Sequence, residues 1–77
     1  MNELEALNLA IERETGAHRF YSEATARFTD AKGRKMFSWL AREEMGHLSI
    51  LGKECEAVKE SGKWLSDEKW AKEKIAQ

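Results

Sequence analysis

The chain has 77 residues with 13 basic and 14 acidic side chains, and its only cysteine is Cys55. A single cysteine excludes an internal disulfide and a metal site made only of cysteines. Nearly balanced charge without a basic block argues against a nucleic acid partner. No apolar run approaches the roughly 20 residues of a membrane span, and the N-terminus lacks the order of a secretion signal. We therefore expect one small, soluble, cytoplasmic domain, which needs a metal or a second copy for extra stability.

The first predicted element is an amphipathic helix that starts after Asn2 and runs to about Phe28. Asn2 and Glu5 have the spacing of a capping box at a helix start. Steps of three and four residues place one set of side chains on a single stripe of this helix. The set is Leu4, Leu7, Ile11, Glu14, His18, Tyr21, Thr25 and Phe28.

The second predicted element is a helix from about Ala31 to Ser61. Thr29 and Asp30 supply a turn and a new N-cap, and Gly62 is a suitable stop. A connection this short predicts that the two helices lie side by side and antiparallel. The stripe of the second helix contains Phe37, Leu40, Glu44, His47, Leu51, Glu54 and Val58.

A short third helix is expected from Asp67 to about Ala76, with Ser66 as its N-cap. The predicted fold class is therefore all-α, with a helical hairpin over residues 1–62 and a C-terminal helical tail over residues 63–77. The tail carries no obvious chemistry.

Polar residues at the middle of both stripes indicate a metal site. Glu44 and His47 form a Glu-x-x-His step, which presents an oxygen and a nitrogen ligand on one helical turn. In an antiparallel hairpin with its turn near residue 30, Glu14 should lie at nearly the same level as Glu44. Carboxylates on an apolar stripe are tolerated only if paired, protonated or bound to metal.

These three residues correspond to half of a dinuclear site. Dinuclear carboxylate sites in helical bundles use a Glu from each of two helices and a Glu-x-x-His from each of two others. Two copies of this hairpin would supply that set. The sequence therefore predicts a homodimer that forms a ferritin-like four-helix bundle with one dinuclear site per dimer, and dimers that can assemble further.

The stretches Ala10–Glu14, Phe20–Tyr21 and Phe37–Leu48 resemble the rubrerythrin branch of the ferritin-like superfamily. The matching patterns are Glu14 followed after six residues by Tyr21, and Leu-Ala-x-Glu-Glu-x-x-His ending at His47. The resemblance implies that Glu14, Glu44 and His47 bind iron, with Tyr21 close by. Typical members carry two hairpins in one chain, so this chain is more similar to encapsulated ferritins, single-hairpin proteins whose iron sites form between subunits and which a shell protein encloses.

The expected function is oxidation of ferrous iron by dioxygen or hydrogen peroxide at a di-iron centre, in the cytoplasm or inside a protein compartment. Tyr21 is expected to hydrogen-bond a carboxylate ligand. For His18 two interpretations stay open: a neighbour or extra ligand that assists the site, or a packed or pore-lining histidine. Two alternatives stay open: a non-catalytic helical assembly module, and a redox-inert zinc or manganese protein.

Overall fold

The computed structural model describes residues 1–65, which form two helices, α1 (Glu3–Arg27) and α2 (Ala31–Ser61). The predicted all-α fold is confirmed for these residues, and both ends of α2 match the prediction. Helix α1 ends one residue earlier than predicted, because Phe28 has an extended backbone and serves as the C-cap. The predicted third helix lies outside the described residues.

Local side chains and one glycine determine where the helices begin and end. The Asn2 side chain accepts a hydrogen bond from the backbone N–H three residues later, at 2.9 Å. Asp30 accepts one from the backbone N–H two residues later, also at 2.9 Å. Gly62 has φ 73° and donates its N–H to the Val58 carbonyl at 2.8 Å, a left-handed C-cap that favours glycine. These bonds satisfy backbone groups that helix ends leave without partners.

The two helices pack antiparallel, as predicted. The His18 ring lies 3.0 Å from the Ala41 carbonyl oxygen through Nδ1, whereas Asn8, nearer the N-terminus, contacts Cys55, farther along α2. Residues earlier in α1 therefore contact residues later in α2. This arrangement brings the middles of both helices together.

Apolar side chains join the helices at the end away from the turn. Leu7, Cys55 and Val58 are buried together, and further side chains pack against them, namely Leu4, Ile11 and Leu51. We call these six residues the open-end cluster. Cys55 is 6% exposed and thus acts as a small apolar residue of this cluster.

Aromatic rings join the helices near the turn. The predicted pair Tyr21 and Phe37 has ring centroids 6.0 Å apart, and Phe28 lies 5.2 Å from Phe37. Phe20 meets Tyr21 edge-on at 5.6 Å. The predicted metal ligands lie between this aromatic group and the open-end cluster.

Two helices that pack only against each other bury a small part of their apolar surface. Among residues 1–65, the buried hydrophobic side chains are only Leu7, Ala41, Cys55 and Val58. Large exposed apolar side chains include Phe20, Met36, Trp39, Met45 and Trp64. Within the described part of the chain, neither helix has an apolar stretch long enough to cross a membrane.

Candidate metal centre

The structure brings Glu14, Glu44 and His47 together at the middle of the hairpin. One ligand atom from each residue lies within 4.8 Å of the other two. The His47 Nδ1 atom lies 3.3 Å from Glu14 Oε2 and 3.5 Å from Glu44 Oε2. The sequence prediction that the three side chains meet is therefore confirmed, while their role as ligands stays a prediction.

The three side chains differ in burial. The Glu44 side chain is 14% exposed, Glu14 is 31% exposed and His47 is 54% exposed. The site is thus deepest at Glu44 and opens to the surface at His47.

One oxygen of Glu44 has no hydrogen-bond partner among residues 1–65. Glu44 Oε2 is fully buried, and it accepts no hydrogen bond even though His47 Nδ1 is 3.5 Å away. The reason is that a ring nitrogen carries at most one proton, and the His47 Nδ1 proton forms its hydrogen bond with Glu14. A buried carboxylate oxygen without a donor is costly. A cation between the three side chains would remove that cost.

The donor set fits a metal ion of the iron type. Two carboxylates and one imidazole supply two negative charges and ligands that suit iron, zinc and manganese. Typical metal–ligand bonds of about 2.1 Å allow ligand atoms about 4 Å apart at most, so the observed separations require only small side-chain shifts. The proton on His47 Nδ1 would have to leave or move to Nε2 for this nitrogen to bind a metal.

His18 joins the two helical turns that carry the ligands. Its Nδ1 donates a hydrogen bond to the Ala41 carbonyl at 3.0 Å, since a carbonyl oxygen can only accept. His18 lies one turn after Glu14, and Ala41 lies one turn before Glu44. Among the described residues, His18 is outside the group of three ligand atoms. Its predicted assisting role stays a prediction, and the observed bond gives it a place in the helix–helix contact.

Other polar residues near the stripes have distinct environments. Glu12 and Glu43 are exposed, as their positions off the stripes predict. Tyr21 lies in the aromatic group, and its hydrogen bond to a carboxylate stays a prediction.

Glu54 is 6% exposed and accepts a hydrogen bond from the Leu65 backbone N–H at 3.3 Å. The chain just after α2 therefore lies over this side chain. Its position on the α2 stripe was the only sequence signal of this burial.

An apolar groove adjoins the metal ligands. Ala10, Ile50 and Leu51 line it together with Glu14 and His47, and its volume is about 260 Å³. The exposed edge of the site is thus surrounded by apolar surface rather than by further ligands. Within residues 1–65, the group of potential ligands contains only the three side chains.

A helical hairpin with two carboxylates and an imidazole between its helices belongs to the ferritin-like class of proteins. A scan against protein-family models matches residues 5–76 to rubrerythrin. Because this match covers nearly the whole chain, the protein belongs to the rubrerythrin family, whose domains bind iron. A search of curated proteins and a search of solved structures found no match.

Proposed function

We propose that this protein supplies half of a di-iron centre and that two copies complete it and oxidise ferrous iron with dioxygen or hydrogen peroxide. The observation that carries the proposal is the Glu14, Glu44 and His47 group, with its buried and unpartnered Glu44 oxygen. Structural ion pairs rarely leave a buried oxygen without a donor. Membership of the rubrerythrin family makes iron the metal that best fits the site.

The number of ligands in a dinuclear site supports two copies rather than one. One chain offers two carboxylates and one imidazole at the site, whereas a dinuclear bundle site uses four carboxylates and two imidazoles. Four carboxylates offset most of the charge of two ferrous ions. A second hairpin related by a two-fold axis would supply the missing half, since such an axis places the same patch of both copies in contact.

The surface beside the ligands also supports a homodimer. Ala10, Ile50 and Leu51 form an apolar groove next to Glu14 and His47. A second copy that covers this groove would bury apolar surface and exclude water from the ligands. It would thereby convert a hairpin with a small core into a four-helix bundle. The proposal also includes larger assemblies of such dimers, an enclosing shell protein and a cytoplasmic location. Only the sequence supports these three parts.

The residues of this chain have separate tasks in the proposed reaction. When bound, iron supplies the electrons that reduce dioxygen or peroxide. Glu14 and Glu44 would hold it and adjust between one-oxygen and two-oxygen binding as its charge rises. His47 would bind through Nδ1 and release its proton to solvent, to which its half-exposed ring has access. His18 would keep the two ligand-bearing turns at the same level.

A metal-free assembly module is the second candidate function. It is favoured by the His47–Glu14 hydrogen bond, because this bond partly satisfies the site without a metal. This function does not explain why Glu44 Oε2 is buried without a hydrogen-bond donor among residues 1–65. A redox-inert zinc or manganese site would explain that oxygen equally well, so metal binding and iron oxidation have to be measured separately.

The decisive experiment is an anaerobic titration of the full chain with ferrous iron, followed by air or peroxide. We expect about one iron per chain, that is two per dimer, and rapid oxidation recorded by absorbance. The double variant Glu44→Ala/His47→Ala should bind no iron at this site, whereas Glu43→Ala changes only an exposed neighbour and should behave like the parent protein.

Three results would reject the proposal. The first is no binding by the parent protein, and the second is unchanged binding by the double variant. The third is a monomeric mass in sedimentation experiments at the concentrations of the titration. Binding of iron without oxidation, together with tight binding of zinc, would favour the redox-inert alternative.

A further inference from the structure

A second groove lies on α2 near the turn and shares no residue with the metal site. It has a volume of about 360 Å³, and residues three and four positions apart line it on one side of the helix. We call these residues the turn-end patch. They are Lys32, Lys35, Met36, Trp39 and Arg42.

The positive charges of the turn-end patch are not neutralised by any residue from 1 to 65. Within residues 1–65, no carboxylate forms an ion pair with Lys32, Lys35 or Arg42. The Arg42 guanidinium donates one hydrogen bond, to the Ser38 hydroxyl at 3.1 Å, which orients it without changing its charge. Three cations therefore surround one groove, and the described part of the chain places no anion opposite them.

The apolar part of the patch is exposed. Met36 is 55% exposed and Trp39 is 49% exposed. Tryptophan, methionine and arginine are enriched at protein–protein interfaces, and tryptophan and arginine supply many of the residues that dominate binding energy. An exposed Trp-Met pair between basic side chains thus has the composition of a recognition surface rather than of ordinary solvated helix.

We propose that the turn-end patch binds an acidic segment of a partner protein. Carboxylates of that segment would pair with Lys32, Lys35 and Arg42, and an apolar side chain of the segment would cover Met36 and Trp39. Positive charge around the groove would also speed the encounter with an acidic partner. This interaction does not require metal at the other groove.

The distribution of charge favours a short acidic segment over a long polyanion. Residues 27–42 contain five basic side chains and one acidic side chain, whereas the remaining residues up to 65 contain five basic and ten acidic ones. A nucleic acid or an anionic membrane would extend over the acidic part and be repelled by it. A peptide that covers only the patch would not meet those charges. Two large apolar side chains are also few for insertion into a membrane interface.

The test uses the full chain and a short fluorescein-labelled peptide of glutamate and leucine, with binding measured by fluorescence anisotropy. Trp39→Ala and Lys35→Glu/Arg42→Glu should each weaken binding by about tenfold or more, the loss expected for a central interface residue. The matched control Lys59→Glu/Lys63→Glu reverses two exposed charges at the other end of the hairpin and should leave binding unchanged. Circular dichroism verifies that all variants are folded.

Several results would overturn the proposal. One is equal binding by the patch variants and the control variant, and another is no peptide binding at millimolar concentration. A third is a lower sedimentation mass for Lys35→Glu/Arg42→Glu, which would make a second copy the occupant. The last is patch-dependent binding to single-stranded RNA or to vesicles of anionic lipid by a protein that does not bind the peptide.

Discussion

The open-end cluster and the predicted metal site occupy adjacent turns of the interface between α1 and α2, yet they are packed differently. In the cluster, Leu7 and Val58 are buried by neighbours from their own chain. At the site, Glu44 Oε2 is also fully buried but has no hydrogen-bond donor. The cluster is packed within one hairpin, whereas the predicted site leaves one buried oxygen without a donor among residues 1–65. The residues that stabilise the hairpin and the residues predicted to bind metal therefore lie at different levels of the helix pair.

Leu7→Ala should produce the largest loss of stability, about 2–4 kcal/mol, because it opens a cavity in the buried part of the open-end cluster. Urea unfolding of the metal-free protein measures it, at a fixed protein concentration because the proposed dimerisation would contribute to apparent stability. Met45→Ala removes an exposed side chain and should cost less than about 0.5 kcal/mol. Equal costs for the two variants would show that the cluster is not the core.

Glu44→Gln should have opposite effects on stability and on metal binding. Without metal, the variant should be more stable by about 1–2 kcal/mol, since it removes a buried charge that has no hydrogen-bond donor. Its iron affinity should fall by more than about tenfold, the lower bound for residues that only orient a ligand. Glu43→Gln is the control, because its side chain is exposed. A variant that loses stability and keeps its iron affinity would contradict this account of the site.

His18→Leu should lower stability by about 1 kcal/mol, the net contribution of one hydrogen bond, here to the Ala41 carbonyl. It should also weaken iron binding several-fold, because the turns that carry Glu14 and Glu44 lose a link. His18→Asn keeps a donor at the position of Nδ1 and should restore most of both properties. Isothermal titration and urea unfolding give the two values. If the asparagine variant is as impaired as the leucine variant, the hydrogen bond is not the cause.

Asn2→Ala should have the smallest effect, about 0.5 kcal/mol, because it removes an N-cap at an exposed helix start. Thermal unfolding is sensitive enough to detect it. Asn2→Gly should cost only a few tenths of a kcal/mol. Neither variant should change iron stoichiometry, since the cap is far along α1 from the site; a changed stoichiometry would show that the N-terminus contributes to it.

Most of the fold was predictable, because each helix boundary has a local chemical cause. Asp30 and Gly62 mark the ends of α2 through side-chain and backbone hydrogen bonds that span a few residues. The burial of Glu54 was not predictable to the same degree, since it depends on where Leu65 lies after the chain leaves the helix. The turn-end patch likewise required the structure, because spacing alone does not reveal which cations lack partners.

The sequence by itself determined the two amphipathic helices, their antiparallel order and the level at which Glu14 would meet Glu44 and His47. These features follow from residue spacing, caps and the length of the turn. Only the tertiary structure decided that the His47 proton is directed to Glu14, that a Glu44 oxygen is left unpartnered, and that His18 links the two ligand-bearing turns. Such details depend on distances of a few ångströms between side chains of different helices, which helical periodicity cannot specify.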